Sequence, residues 1–191
     1  MQVTKRNGTK EEVKLEKISK RITRHTKDLK NIDTILVAQK VVEGLYDGVT
    51  TSELDSLATE TAYSMSVKHP EYDKLSLRLA VSTLHKDTPS TFLESIERLY
   101  NVKDTAGKKK PLIADNVYKF VKKNAHIIDA AIVHDRDYLF DYFGFKTLER
   151  SYLLREKNVI VERPQYLWMR VACGIHVGDI DAALQTYELL S

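Results

Sequence analysis

The fold is decided at residues 3–18, which read VTKRNGTKEEVKLEKI. Asn7-Gly8 lies near the centre of this stretch, and Asn-Gly is the preferred pair for a tight β-hairpin because both central residues of the turn must tolerate positive φ. We therefore predict two short antiparallel strands, over residues 2–6 and 11–15. Apolar residues at helical spacing begin at Ile18, so the hairpin should lead directly into a helix.

Helical periodicity continues through most of the chain. Two Thr-x-x-Glu sequences, Thr50 to Glu53 and Thr91 to Glu94, have the spacing of a capping box at a helix start. Asp179 suits the N-cap position of a last helix. We predict helices over residues 18–29, 34–47, 51–65, 75–84, 92–99, 115–123, 146–155, 164–176 and 179–190. The predicted fold class is therefore α+β and predominantly α-helical.

Composition excludes several classes of protein. No stretch approaches the length of a membrane span, and a single cysteine, Cys173, excludes an internal disulfide framework. We therefore expect a reducing, cytoplasmic setting. Cys173 lies among apolar neighbours on a predicted helix, which favours a core residue over a nucleophile. No nucleophile–base pair and no glycine-rich phosphate loop is evident, so no catalytic residue is predicted.

Basic charge is concentrated at the N-terminus. The first thirty residues hold ten Lys or Arg and four Asp or Glu, a local balance of +6 in a chain of net charge +3. The basic residues of the hairpin region are Lys5, Arg6, Lys10, Lys14 and Lys17. Lysine at a helix N-terminus opposes the helix dipole, whereas free backbone N–H groups there attract anions. A triphosphate would resolve this conflict, although charge alone fits a solvated face or nucleic acid equally well.

Other candidate residues are more ambiguous. Asp55 lies in the first turn of a predicted helix, where a carboxylate either complements the helix dipole or accepts a hydrogen bond from a sugar hydroxyl. Six histidines are scattered without ligand spacing, so no metal site is predicted. The segment Tyr138–Phe145 is aromatic but interleaved with acidic residues, which favours core or interface packing over contact with nucleic-acid phosphates.

The chain resembles two neighbouring domains of one protein family. Residues 3–8 followed by 11–18 are similar to the opening signature of the ATP-cone domain. Further blocks resemble the cone of eukaryotic-type class I ribonucleotide reductase large subunits: Gly44–Asp55, Lys68–Tyr72 and Leu84–Lys86. The stretches Asp135–Leu153 and Glu162–His176 resemble the helical domain that follows the cone. The resemblance covers essentially the whole chain.

The resemblance implies a domain organisation. An ATP-cone regulatory domain, with a small β-hairpin sheet capping a four-helix bundle, is expected over residues 1–100. A polar linker is expected over residues 101–111, followed by an incomplete N-terminal helical domain over residues 112–191. The family's catalytic barrel and redox cysteines lie beyond the position that matches Ser191, and Cys173 matches none of those cysteines. The chain alone is therefore expected to be inactive as an oxidoreductase.

The resemblance also implies a nucleotide-binding site. Lys17 and Lys86 match positions near the phosphates of the effector, and Thr51 and Asp55 match positions at its adenosine end, with Asp55 at the sugar. Glu16 stands where the family commonly has Asp. The complete set of expected ATP- or dATP-binding residues is Lys5, Arg6, Glu11, Glu12, Val13, Lys14, Leu15, Glu16, Lys17, Thr51, Asp55 and Lys86.

The function implied by the resemblance is an allosteric switch. ATP would activate and dATP would inhibit a ribonucleoside-diphosphate reductase, which makes deoxyribonucleotides for DNA replication, and Mg²⁺ is expected with the nucleotide. The expected partners are the rest of the large subunit, a small radical-generating subunit and further copies of the large subunit, with no nucleic acid and no membrane. The alternative is a basic nucleic-acid-binding or assembly-only module without nucleotide regulation.

Overall fold

The computed structural model describes residues 1–191 and divides into two compact units. The first unit contains Met1–Thr83 and the short segment Phe140–Phe145, and the second contains Leu84–Leu139 and Lys146–Ser191. Most of the chain is helical, with two small antiparallel sheets, which confirms the predicted α+β, predominantly helical fold class. None of the helices is both long enough and apolar enough to cross a membrane.

A β-hairpin opens the first unit. Strand β1 (Gln2–Thr4) pairs with β2 (Lys10–Glu12), and Val3 lies opposite Glu11. The turn between the strands is closed by hydrogen bonds between Lys5 and Thr9 and between Lys5 and Gly8, with N···O distances of 2.8 and 2.9 Å. Gly8 adopts a φ of 80°, as the Asn-Gly sequence predicts. The predicted hairpin is confirmed.

Four helices complete the core of the first unit. They are α1 (Leu15–Arg24), α2 (Thr34–Glu43), α3 (Thr51–Ser64) and α4 (Glu71–Asp87), and the last turn of α4 belongs to the second unit. Apolar residues from all four helices pack together, including the fully buried Ile22, Val37, Val41, Ala62, Leu75 and Leu79. The sheet is tied to this bundle where Thr4 pairs with Thr50, the residue that caps α3.

Several predicted element boundaries in the first unit are wrong, including the end of β1, which is Thr4 rather than residue 6. Strand β2 stops at Glu12 rather than residue 15, because its pairing with β1 ends with Gln2 opposite Glu12 and the chain then enters α1 at Leu15. Leu15 instead begins α1 and is exposed. Helix α1 ends at Arg24 rather than residue 29, and α2 ends at Glu43 rather than residue 47, with Gly44 as its C-cap.

The second unit is built from helices around its own core. Its elements are α5 (Phe92–Tyr100), α6 (Asp115–Ala131), a 3₁₀ helix (His134–Leu139), the second half of α7 (Tyr142–Ser151), a hairpin of β3 (Arg155–Glu156) and β4 (Val159–Ile160), α8 (Pro164–Ile175) and α9 (Ile180–Leu190). Its core includes the fully buried Ile96, Leu99, Val121, Ile128, Tyr166, Met169, Ala172 and Cys173. The interpretation of Cys173 as a core residue is confirmed.

Among the later predicted helices, one has different bounds in the structure and another has the predicted N-cap. The helix predicted over residues 146–155 is shifted, since α7 begins at Tyr142 and ends at Ser151. Lys157 and Asn158 adopt φ values of 48° and 69°, so the chain turns into a hairpin there, and this turn chemistry was missed. Asp179 caps α9 as predicted, accepting a hydrogen bond from the Ala182 amide at 3.0 Å.

Two further expectations concern segments between helices. The aromatic segment packs as predicted only in part: Tyr142 and Phe145 are buried, and the Tyr142 and Tyr63 ring centroids lie 4.4 Å apart, whereas Phe143 is exposed. Residues 101–111 contain a short turn in which Lys103 pairs with Lys109. The predicted domain division at residues 100–112 stays a prediction.

Candidate functional site

Two lysines converge on one carboxylate at the hairpin. Glu11, in β2, contacts Lys5 through one carboxylate oxygen and Lys17 through the other. Lys17 lies in the first turn of α1, so the hairpin and the helix start share this contact. The hydrogen bond from Lys17, followed by the one from Lys5, lowers the pKa of Glu11 to about 2. Both lysine side chains remain substantially exposed, so the cluster presents positive charge to solvent.

A second charged group lies beneath the hairpin and involves a buried carboxylate. Asp55, in the first turns of α3, is only 4% exposed. Arg6, from the hairpin turn, approaches Asp55 Oδ2 with its Nη2 at 3.1 Å. Arg21, from α1, contacts the other oxygen, Oδ1. Asp55 is therefore not a simple dipole-complementing residue at the helix start, because it accepts hydrogen bonds from two guanidinium groups contributed by other elements.

The start of α3 positions Thr51 and Asp55 together. Thr50 Oγ1 accepts a hydrogen bond from the Glu53 amide at 3.1 Å, and the Glu53 carboxylate accepts one from the Thr50 amide at 2.8 Å. This reciprocal pair confirms the predicted capping box. Thr51 is the first residue of the helix, and Asp55 follows four residues later, which places both on one helix face.

Two domain families match this chain. Residues 1–87 match the ATP cone domain, and residues 138–191 match the ribonucleotide reductase all-alpha domain. The chain is a relative of ribonucleotide reductase large subunits. It is 52% identical to the ribonucleoside-diphosphate reductase large subunit of Arabidopsis thaliana, over 100% of this chain and 24% of that protein. The resemblance predicted from the sequence is confirmed.

Other relatives give the same result. Identity is 49% to the ribonucleoside-diphosphate reductase large chain 2 of Saccharomyces cerevisiae, over 100% of this chain and 22% of that one. Identity is also 49% to the large subunit of Vaccinia virus, over 100% of this chain and 25% of the viral protein. The chain thus spans about a quarter of the length of these relatives.

The ATP cone is a nucleotide-binding regulatory domain, and the candidate site lies within it.

Within the cone, the structure brings some of the predicted site residues together. The ones that share direct contacts are Lys5, Glu11 and Lys17 in one group and Arg6 and Asp55 in the other. Glu12, Lys14, Leu15 and Glu16 are exposed around the start of α1, and Val13 packs partly against the helical core. Lys86 is exposed in the last turn of α4, in the second unit, and its predicted role at the phosphates stays a prediction.

Sequence reasoning missed Arg21. Besides contacting Asp55, Arg21 donates a hydrogen bond from Nη2 to Thr83 Oγ1 on α4 at 2.9 Å. One signal was available in the sequence, since Arg21 follows Lys17 by four residues and therefore lies on the same face of α1. Its partner Asp55 is 34 residues away, and no local pattern encodes that distance.

A separate cluster in the second unit was also missed. His85 Nε2 lies 2.6 Å from Asp137 Oδ2, and potential ligand atoms of His85, His134 and Asp137 all lie within 4.8 Å of one another. Arg163 Nη1 lies 3.5 Å from His134 Nδ1, and burial, followed by this arginine, lowers the pKa of His134. Two histidines and a carboxylate are a donor set for a divalent metal, but the positive charge of Arg163 opposes a bound cation. The prediction of no metal site stays a prediction.

Proposed function

We propose that this chain is the regulatory N-terminal region of a ribonucleotide reductase large subunit, and that its cone binds ATP or dATP as an allosteric effector. Support comes from one geometric observation. The cationic residues of the hairpin and the buried carboxylate of α3 lie at adjoining positions, bridged by the contact between Arg6 and Asp55. A nucleotide needs both kinds of group, because its phosphates are anionic and its sugar carries hydroxyl donors.

The phosphate end would be bound by Lys5, Arg6 and Lys17. In the structure, Lys5 and Lys17 contact the carboxylate of Glu11, and Arg6 contacts that of Asp55. A triphosphate carries more negative charge than one carboxylate and would compete for these donors. Free N–H groups in the first turn of α1 add further attraction for an anion. Lys86 is expected to contribute from α4, and Mg²⁺ is expected to accompany the triphosphate.

The sugar end would be read by Asp55. A carboxylate accepts hydrogen bonds only, which suits contact with a ribose hydroxyl. ATP and dATP differ by one 2′-hydroxyl, and one hydrogen bond contributes about 0.5–1.5 kcal/mol, which corresponds to roughly a two- to twelvefold difference in Kd. Because one hydrogen bond contributes so little, direct discrimination between the two effectors should be modest. Thr51, one turn earlier on the same face of α3, would contact the adenosine end.

The regulatory effect would be amplified by assembly. A ligand shifts an equilibrium only by its differential affinity for the two states. ATP and dATP would therefore act by favouring different associations of large subunits, with ATP permitting and dATP suppressing ribonucleotide reduction. The catalytic chemistry would belong to the rest of the large subunit together with a small radical-generating subunit. A cytoplasmic location is expected for such an enzyme.

Calorimetric titration of the 191-residue chain with ATP, dATP and GTP tests this proposal, with particle size followed by light scattering. We expect heat from ATP and dATP, with Kd values that differ by roughly two- to twelvefold, and weaker binding of GTP. The absence of heat from both adenine nucleotides would overturn the proposal. Binding of DNA or RNA with steep salt dependence would then favour a nucleic-acid-binding module. The absence of any binding would favour an assembly-only module.

A further inference from the structure

We propose that Arg21 is a positioning residue that sets the preference of the cone between ATP and dATP by fixing the carboxylate of Asp55. This inference rests on the proposed nucleotide function, and it assigns a role to a residue outside the expected set of nucleotide contacts. Three structural observations support it: the two-ended attachment of Arg21, the division of the Asp55 oxygens between two arginines, and an unpaired donor on Arg21.

Arg21 is attached at both ends of its guanidinium. Nη1 contacts Asp55 on α3, and Nη2 donates to Thr83 Oγ1 on α4 at 2.9 Å. The Thr83 hydroxyl in turn donates to the Leu79 carbonyl at 2.9 Å, so its orientation is fixed by the helix that carries it. Because a guanidinium is planar and rigid, two such attachments define the position of the whole group. Arg21 thus connects α1, α3 and α4 at a single point.

The two arginines at Asp55 occupy different environments. Arg6 lies at the hairpin turn, and its side chain is 36% exposed, whereas that of Arg21 is 20% exposed. Arg6 is among the cations that would meet the phosphates, so nucleotide binding would draw it away from Asp55. Arg21, held by Thr83, would stay. Arg21 would then continue to hold the carboxylate in the nucleotide-bound cone.

The third observation is that Arg21 Nε is buried and has no hydrogen-bond partner. Native structures leave few buried donors unpaired, because such groups are destabilising. An arginine with an unpaired Nε is unfavourable for the packing of this position. Packing alone therefore does not explain why residue 21 is an arginine. Its retained contacts, to Asp55 and to Thr83, are the ones that orient the carboxylate expected to meet the sugar.

Calorimetry on the 191-residue chain tests the inference. The Kd values of ATP and dATP are measured for the wild type and for the Arg21→Met and Arg21→Lys variants. We expect the ratio of the ATP and dATP Kd values to move towards one by about threefold in Arg21→Met, while the affinity for the weaker nucleotide changes by less than about twofold. Arg21→Lys keeps the charge but lacks the rigid planar fork that donates to Asp55 and Thr83 from separate nitrogens, so we expect an intermediate ratio. Arg24→Met, at an exposed position near the end of α1, is the matched control and should keep the wild-type ratio.

A double-mutant cycle separates action through Asp55 from general loosening of the fold. If Arg21 acts through Asp55, adding Arg21→Met to Asp55→Asn should leave the ratio as it is in Asp55→Asn alone. Equal loss of affinity for both nucleotides in the Arg21 variants, with the wild-type ratio retained, would overturn the inference but leave the proposed function intact. Absence of nucleotide binding by the wild-type chain would overturn both. Thermal melts check that each variant is folded. If Arg21→Met does not fold, the Arg21→Lys variant still tests the inference.

Discussion

Arg6 and Asp55 are 49 residues apart in the chain, yet Arg6 Nη2 lies 3.1 Å from Asp55 Oδ2. This contact joins the turn of the N-terminal hairpin to the first turns of α3. It brings a cation of the hairpin turn to the buried carboxylate of α3, an arrangement that supports the proposed recognition of a charged nucleotide with a polar sugar.

The first prediction concerns the sugar contact of Asp55. Asp55→Asn should reduce the discrimination between ATP and dATP by roughly two- to twelvefold, because it replaces a charged acceptor with a neutral amide. Binding of the triphosphate should be retained, since the lysines at Glu11 are unchanged. Calorimetry with both nucleotides measures the ratio. Glu60→Gln, at an exposed position on the same helix, is the control. An unchanged ratio of the ATP and dATP Kd values in Asp55→Asn would show that Asp55 does not contact the sugar.

The second prediction concerns the phosphate contacts. Lys17→Ala should weaken ATP and dATP binding equally, by at least about tenfold, because a charge-assisted hydrogen bond to phosphate contributes about 1.5–3 kcal/mol. Lys20→Ala is the matched control, since Lys20 lies on the same helix and makes only a long contact of 3.9 Å with Glu16. Calorimetry at two salt concentrations should show a smaller salt dependence for Lys17→Ala. Equal effects of the two substitutions would contradict a specific role for Lys17.

The third prediction concerns the capping box of α3. Thr50→Ala should destabilise the chain by about 1 kcal/mol, because it leaves the Glu53 amide without its side-chain acceptor. Thr50→Ser keeps the hydroxyl and should be close to the wild type. Urea unfolding measures the free energy of unfolding for each variant. Ser52→Ala, at an exposed position in the first turn, is the control, and it should cost less than Thr50→Ala.

The fourth prediction concerns the acid stability of the first unit. Asp28 forms a two-point ion pair with Arg78, with N···O distances of 2.6 and 2.7 Å, and the hydrogen bond from Arg78 lowers the pKa of Asp28 from 3.8 to about 2. A lowered carboxyl pKa stabilises the fold above the unfolded-state value of 3.8, and this contribution is lost as the pH falls through about 2. Asp28→Asn should therefore flatten the dependence of unfolding free energy on pH in this range.

Arg78→Gln should flatten the same profile, because it removes the partner that lowers the pKa of Asp28. The pKa itself can be measured by following the carboxyl carbon of Asp28 in an NMR titration of the folded chain. A midpoint near 3.8 would show that the ion pair does not form in solution.

The fifth prediction concerns Cys173. This thiol is fully buried in α8, and burial raises its pKa to about 12. The thiolate is the reactive form, so Cys173 should be unreactive towards a thiol reagent at pH 8 in the folded chain. Denaturation in guanidinium should restore full reaction, which provides the internal control. Rapid modification of the folded chain would show that the core around α8 opens readily.

Local sequence chemistry determined where several elements of both units begin. Asn7-Gly8 specified the hairpin, the Thr50 and Glu53 pair specified the start of α3, and Asp179 specified that of α9. Turn and cap preferences act over a few residues, so a single sequence contains the whole of the interaction. The cluster of Lys5 and Lys17 was likewise predictable, because both lie on the hairpin or the helix that directly follows it.

Where the elements end was less predictable, because pairing and packing partners decide it. β2 stops where its pairing with β1 ends, at Glu12 opposite Gln2, and α7 ends before the turn at Lys157 and Asn158.

The sequence by itself thus determined a helical protein with a basic N-terminal hairpin and, through its resemblance, the family and the candidate site. Only the tertiary structure decided which groups meet the carboxylate of Asp55. Arg6 and Arg21 reach it from elements 49 and 34 residues away, and the cluster of His85 with Asp137 spans 52 residues. Such contacts depend on how whole helices pack against one another. Burial of the apolar helix faces determines that packing, so the sequence next to each charged residue does not indicate its partner.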